Sequence, residues 1–323
     1  MLDVESSPIS VAAERSSSLQ KDILRTLLYF DIFNHPLTAK EIYSFLPSNS
    51  TTASAVEQAC SSEPLHEVIT HEGPYFRLRS AGEDIVADRR TKESRAARLW
   101  RIAVFMSHII RRFPFVRAVF VSGELSKGVA SQDSDIDFVI VTAEGRLWIC
   151  RTLLILFKKM FLLNSKKFFC LNHFVSADHL EAEDRNVYTA TEIATLQPLY
   201  NLELFRQYQR VNEWIQTYLP NASTISHSPI RNDHRRLLMQ RFLESLILSS
   251  VADKVDPWLL QRWKMVWRKR YPELPTERRS RLFKSSLYLS TAYGQDFLTQ
   301  ILTRYRDRLE QSNLLSYDHG LSN

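Results

Sequence analysis

Two aspartates one residue apart, Asp135 and Asp137, open a run of apolar and β-branched residues over 135–141, DIDFVIV. On a strand, side chains alternate between faces, so both carboxylates point the same way while Ile136 points to the core. Carboxylates so placed lie about 7 Å apart and repel each other unless a cation stands between them. Mg²⁺, with its oxygen ligands, is the usual solution. Upstream lies a second short strand, Val119-Phe120-Val121, which stops at Ser122-Gly123. A glycine turn lets backbone N–H groups approach a phosphate closely. The hydroxyls of Ser122 and Ser126 and the ammonium of Lys127 stand beside that turn. The competing reading is a polar hairpin whose acids are merely solvated, but a strand-borne Asp-x-Asp behind a glycine turn is uncommon by accident.

Gly123-Glu124, ten intervening residues, and then Asp135-Ile136-Asp137-Phe138 resemble the signature of the nucleotidyltransferase superfamily, the DNA polymerase β-like fold. That signature is Gly-Gly or Gly-Ser, a spacer, and Asp-hydrophobic-Asp-hydrophobic. The segment 182–201, AEDRNVYTATEIATLQPLYN, resembles a stretch of uncharacterised bacterial nucleotidyltransferase-like proteins that also begin with a winged helix. The resemblance implies catalytic, metal-binding roles for Asp135 and Asp137, Mg²⁺ as cofactor and a nucleoside triphosphate as partner. It implies a nucleotide-binding role for Ser122, Gly123, Ser126 and Lys127. It also implies a third carboxylate on the next strand, over 168–176, where Asn172 takes the corresponding position.

Two residues depart from that pattern. Asn172 offers a carbonyl oxygen but no charge, which weakens a second metal and removes a candidate base. Asp178, Glu181, Glu183 and Asp184 follow it and are candidates to compensate; His173 falls on the opposite face by alternation. Glu124 stands where the family has a small residue, and a carboxylate there repels phosphate unless it turns outward. Together the departures make a catalytically degenerate binding or regulatory scaffold the main alternative to an enzyme.

The rest of the chain must hold this stretch. With 323 residues, 44% hydrophobic and 24% charged, it has the composition of a globular protein of two or three domains. Cys60, Cys150 and Cys170 are odd in number and contain no Cys-x-x-Cys, which argues against a disulfide framework or zinc site and for a reducing compartment. The first residues lack the apolar core of a signal peptide. The most apolar run, 147–163, is broken by Arg151, Lys158 and Lys159. A cytoplasmic location without a membrane partner follows as the expectation.

Residues 1–17 read as a disordered tail. Helical spacing over 18–33, a capping box at Thr38 to Glu41, a third helix over 51–60 and a hairpin over 68–78 read as a winged-helix-like domain, 18–88. Its third helix, TTASAVEQAC, carries Glu57 and no cation, so it suits docking better than duplex DNA. A helix over 89–112, crowded with arginine, leads into the core, 89–220. The core also includes helices over 146–163, 190–199 and 202–219.

Residues 221–323 read as a basic helical domain, with helices over 237–250, 257–270 and 283–305. Between Arg231 and Lys284 stand 14 basic and 6 acidic residues, an excess above the whole chain's +6. Trp258, Trp263 and Trp267 interleave with these cations. That pattern fits a nucleic-acid track and equally a helix that buries its tryptophans. The expected fold is α/β (α+β), a small mixed-sheet core between a winged helix and this helical domain. The expected function is Mg²⁺-dependent transfer of a nucleoside monophosphate to a hydroxyl of RNA, protein or a small molecule. A nucleic-acid adaptor is a further alternative.

Overall fold

The computed structural model describes residues 7–49, 51–165, 167–225, 238–293 and 296–315. Residues 1–6 of the expected tail, and 226–237, where the basic stretch begins, lie outside the described residues. In chain order the elements begin with α1 (Pro8–Arg15), α2 (Ser18–Asp31), β1 (Leu37–Thr38), α3 (Ala39–Ser44), α4 (Ala53–Cys60), α5 (Leu65–Val68), β2 (Ile69–Glu72) and β3 (Tyr75–Leu78). The long α6 (Ile85–Ile110) leads to β4 (Val116–Ser122), α7 (Gly123–Ser126), β5 (Asp137–Thr142), α8 (Leu147–Phe161) and β6 (Cys170–Ser176). There follow α9 (Val187–Thr195), β7 (Gln197–Tyr200), α10 (Leu202–Val211), α11 (Leu238–Ser245), α12 (Ser249–Arg270), α13 (Thr276–Leu282), β8 (Leu289–Thr291) and α14 (Phe297–Gln311).

The N-terminal helices start where the sequence supplies caps. Ser17 with Gln20, and Thr38 with Glu41, each form a reciprocal capping box. The periodic face of α2, including Ile23, Leu24, Leu27 and Leu28, is fully buried. Behind it β1, β3 and β2 form a three-stranded antiparallel sheet. Two expectations fail here. Residues 8–15 are not tail but a helix capped by Ser7, with Ala12 and Ala13 in the core. The last helix, α14, returns to this N-terminal core with Ile301, Leu302, Tyr305 and Leu309. Tyr29 and Tyr305 meet edge to face at 5.2 Å. The described residues of α14 therefore pack within the N-terminal core.

One arginine ties this part to α6. Arg89 is buried, and its guanidinium holds Glu41 at 2.6 Å and Glu93 at 2.9 Å. It also donates to the Pro36 carbonyl and lies over the Tyr75 ring, whose hydroxyl donates to Glu93. The remaining arginines of the run divide: Arg90, Arg98 and Arg101 are solvent-exposed, as a solvated helix face requires.

The central sheet has the order β7-β4-β5-β6-β8. Only the β5–β6 pair is parallel, so the sheet is mixed. Alternation assigns its faces. Val119, Val121, Phe138, Ile140 and Phe174 pack against α6, α8 and α12. Ala118, Phe120, Val139, Val141 and Val175 pack against α9 and α10.

Several boundaries differ from expectation for physical reasons. The helix expected over 190–199 ends at Thr195, and Gln197 to Tyr200 form an edge strand. Pro198, which has no N–H to donate, is accommodated at that edge. The expected helix over 283–305 begins only at Phe297, because residues 289–291 add an edge strand beside β6. Helix α12 passes through Pro257, which is exposed, and starts at Ser249. Trp263 and Trp267 are packed inward, while Trp258 remains 54% exposed with Arg262 over its ring. Two of the three tryptophans therefore belong to the core rather than to a stacking track.

Candidate functional site

The hairpin of β4 and β5 sets the site. Ser122 is the register partner of Asp137, so both occupy one face at the end of the pair. Directly after Ser122 the chain turns at Gly123, whose φ of +69° lies in the left-handed region. A Cβ at position 123 would stand 2.7 Å from Asp137 Oδ2. Glycine is thus required twice, by the turn and by the carboxylate against it. Strand β5 begins at Asp137 rather than at Asp135, but the ladder continues through Ile136, which donates to Lys167 O and accepts from Cys170 N.

Asp137 lies among charges of its own sign. Burial pushes its pKa up to about 6, and the charges of Asp135 and Glu192 add to that rise. A hydrogen bond with Cys170 and the charge of Lys127 act in the opposite sense. Lys127 Nζ bridges the site: it holds Glu192 Oε1 at 2.7 Å and donates to Gly123 O at 3.2 Å. The tyrosines Tyr188 and Tyr293 also feel Asp137 and Glu192, and burial raises both their pKa values.

The structure sorts the sequence-derived candidates. Ser122, Gly123, Lys127, Asp135 and Asp137 come together. Ser126 does not present a free donor, because its hydroxyl donates to Gly123 O at 2.8 Å and closes the turn. Glu124 turns away into the loop that follows. Its carboxylate accepts from Ser131 N at 2.8 Å, from Ser131 Oγ at 2.9 Å and from the Ser134 hydroxyl. Burial alone would raise its pKa, but these hydrogen bonds and the charge of Lys92 outweigh it and hold the carboxyl below the usual range.

Asn172 does not stand opposite Asp137. The β5–β6 register runs from Asp137↔Cys170 to Val139↔His173, with a bulge between them. A bulge places two residues against one and shifts the alternation. Cys170 pairs with Asp137, and beyond the bulge His173 shares that face instead of the opposite one. His173 Nδ1 meets the Tyr293 hydroxyl at 2.9 Å. Burial, with the charges of Lys284 and Arg151, depresses its pKa to about 4. The acids proposed to compensate are engaged elsewhere: Asp178 with Ser176 and His179, Glu181 with Arg185, and Glu183 and Asp184 with Lys284. The further acid whose charge acts on Asp137 is Glu192 on α9, which sequence reasoning missed. Its own spacing offered no signal.

Among the described residues, no three Asp, Glu, His or Cys side chains converge as a metal cage. Mg²⁺ does not require one, since it is commonly held by one or two carboxylates with water and substrate phosphates. Asp137, pushed up by burial and further by the charges of Asp135 and Glu192, fits that need for one cation. The neutral Asn172, set off by the bulge, does not fit a second. A cavity of about 620 Å³ opens beside Ser126, Lys127 and Gly128. Phe30, Phe45 and Trp100 line it, while Asp135 and Asp137 do not. No family model matches the chain, and neither the curated proteins nor the solved structures yield a match.

Two measurements test this geometry. Gly123→Ala is expected to lower stability by about 1–3 kcal/mol in urea unfolding and to displace Asp137. The pH dependence carries a definite sign. Asp137 has a folded pKa of about 6 against an ordinary 3.8, so its contribution to stability is full below the ordinary value and lost as pH rises through the folded one. Asp137→Asn, neutral throughout, is expected to raise the unfolding midpoint at neutral pH and to leave it unchanged in acid.

Proposed function

We propose that this chain is a Mg²⁺-dependent nucleotidyltransferase whose core is the mixed sheet and whose first helices and hairpin form a winged helix. The observation that carries the reading is the contact between the Gly123 turn and Asp137, with the charges of Asp135 and Glu192 acting on the same carboxylate. Asp135 and Asp137 hold the metal, which supplies Lewis-acid polarisation of the α-phosphate. The Gly123 turn presents backbone N–H groups to the β- and γ-phosphates. Ser122 borders the same face. Lys127 exchanges Glu192 for phosphate, and Glu192 then supplies the third negative charge. An acceptor hydroxyl gives up its proton to solvent and forms a bond to the α-phosphorus as the bond to the β-phosphate oxygen breaks and pyrophosphate leaves.

The acceptor is taken up beside the turn. A cavity of about 620 Å³ with aromatic walls is of the size that holds a small molecule, which favours that class over RNA or a protein side chain. The absence of Lys and Arg from α4 counts against duplex DNA. No helix among the described residues is long and apolar enough to cross a membrane; the cytoplasmic location we infer rests on the free cysteines.

The Lys127–Glu192 ion pair favours a second reading. A site already neutralised from within, with Asp137 protonated in mild acid, serves as a scaffold element that needs no cation. Thermal unfolding with ATP, CTP, GTP and UTP, each with and without Mg²⁺, separates the two. The enzyme reading predicts a Mg²⁺-dependent rise in midpoint with at least one nucleotide. Asp135→Ala is expected to abolish that rise, and Asp135→Ala and Asp137→Ala to abolish pyrophosphate release, with the chain still folded. No shift with any triphosphate overturns it in favour of the scaffold.

A further inference from the structure

On the opposite face of the central sheet, Arg151 of α8 is completely enclosed, at 1% exposure. Its guanidinium lies over three rings, at 5.0 Å from Phe174, 5.2 Å from Trp263 and 5.7 Å from Trp267. Rings stabilise a cation through their faces, but they do not accept the in-plane N–H groups. Arg151 Nε and Nη1 are buried without a hydrogen-bond partner. Burial lowers its pKa to about 9 with no neighbouring charge contributing, so it remains a cation at neutral pH.

Three other buried polar atoms along α8, α12 and β8 lack a partner: Trp267 Nε1, Ser290 Oγ and, at the Ile149 end of the seam, Asp256 Oδ2. Ser290 stands opposite Phe174 in the β6–β8 ladder and so shares the face over which Arg151 lies. The neighbouring Trp263 is satisfied, since its Nε1 donates to Thr152 Oγ1 at 2.9 Å. The unsatisfied atoms beside the three rings can all donate: two arginine N–H groups, an indole N–H that is donor only, and a hydroxyl. Buried polar groups are normally paired, and buried charges are normally compensated. A water would accept here but would bring two hydrogens of its own and no charge.

We propose that a halide-sized monovalent anion, chloride under ordinary conditions, binds between α8, α12 and β8 as the counter-charge of Arg151, accepting from Arg151, Trp267 and Ser290. The site lies across the sheet from Asp137 and does not rest on the nucleotidyltransferase reading. It would make the packing of α12 on the core dependent on the anion.

Thermal unfolding of the full chain in sodium chloride, sodium bromide and sodium gluconate at equal ionic strength tests this. The midpoint is expected to rise by roughly 2–4 °C for each tenfold increase in halide above saturation, and not with gluconate. Arg151→Met is expected to lose the difference between halide and gluconate. Should that variant fail to fold, bromide-soaked crystals of the native chain decide the matter. An anomalous peak within hydrogen-bonding reach of Arg151 Nη1 and Trp267 Nε1 supports the site. Equal midpoints in all three salts, a halide response that survives in Arg151→Met, or water in place of bromide overturns it.

Discussion

The glycine just past the end of β4 and the aspartate that opens β5 leave no room for a side chain between them. The Cβ that any other residue would carry at 123 stands 2.7 Å from Asp137 Oδ2. That approach exists because β4 and β5 pair with Ser122 opposite Asp137 and because the chain turns left-handed immediately afterwards. Much of the remaining architecture keeps those two strand ends in place. Apolar side chains of β4 and β5 are buried on both faces, and α6 is tied to the first helices through Arg89. Lys127 links the turn to α9.

What could be read from the sequence was what is local. The turn, the two aspartates and the strand pair lie within about twenty residues of one another, so type and spacing were enough to place them. What was missed arrives from elsewhere or depends on an irregularity. Glu192 reaches the site on a helix that follows the third strand, and its own spacing gives no sign of that. His173 shares Asp137's face only because a bulge breaks the alternation that had assigned Asn172 to it. Arg89 sits in a run of arginines that look alike in sequence, yet it alone of the run's first pair is buried. The short run after Thr195 is apolar enough for either a helix or a strand, and its pairing with β4 decides.

Electrostatics unite these parts. Asp135, Asp137 and Glu192 set three negative charges against the single ammonium of Lys127. Glu124, a fourth acid in the turn itself, is removed from the balance by its hydrogen bonds to Ser131 and Ser134. The carboxylates behind the turn remain short of positive charge; on the reading we propose, metal with triphosphate supplies it.

Calorimetric titration with Mg²⁺ and ATP, CTP, GTP or UTP near pH 6, in two buffers of different ionisation enthalpy, tests that balance most directly. Asp137 is about half protonated there. Binding that requires its charge must release about half a proton, so the heat must differ between the buffers. Binding with the same heat in both buffers, or no binding of any triphosphate, would contradict the account.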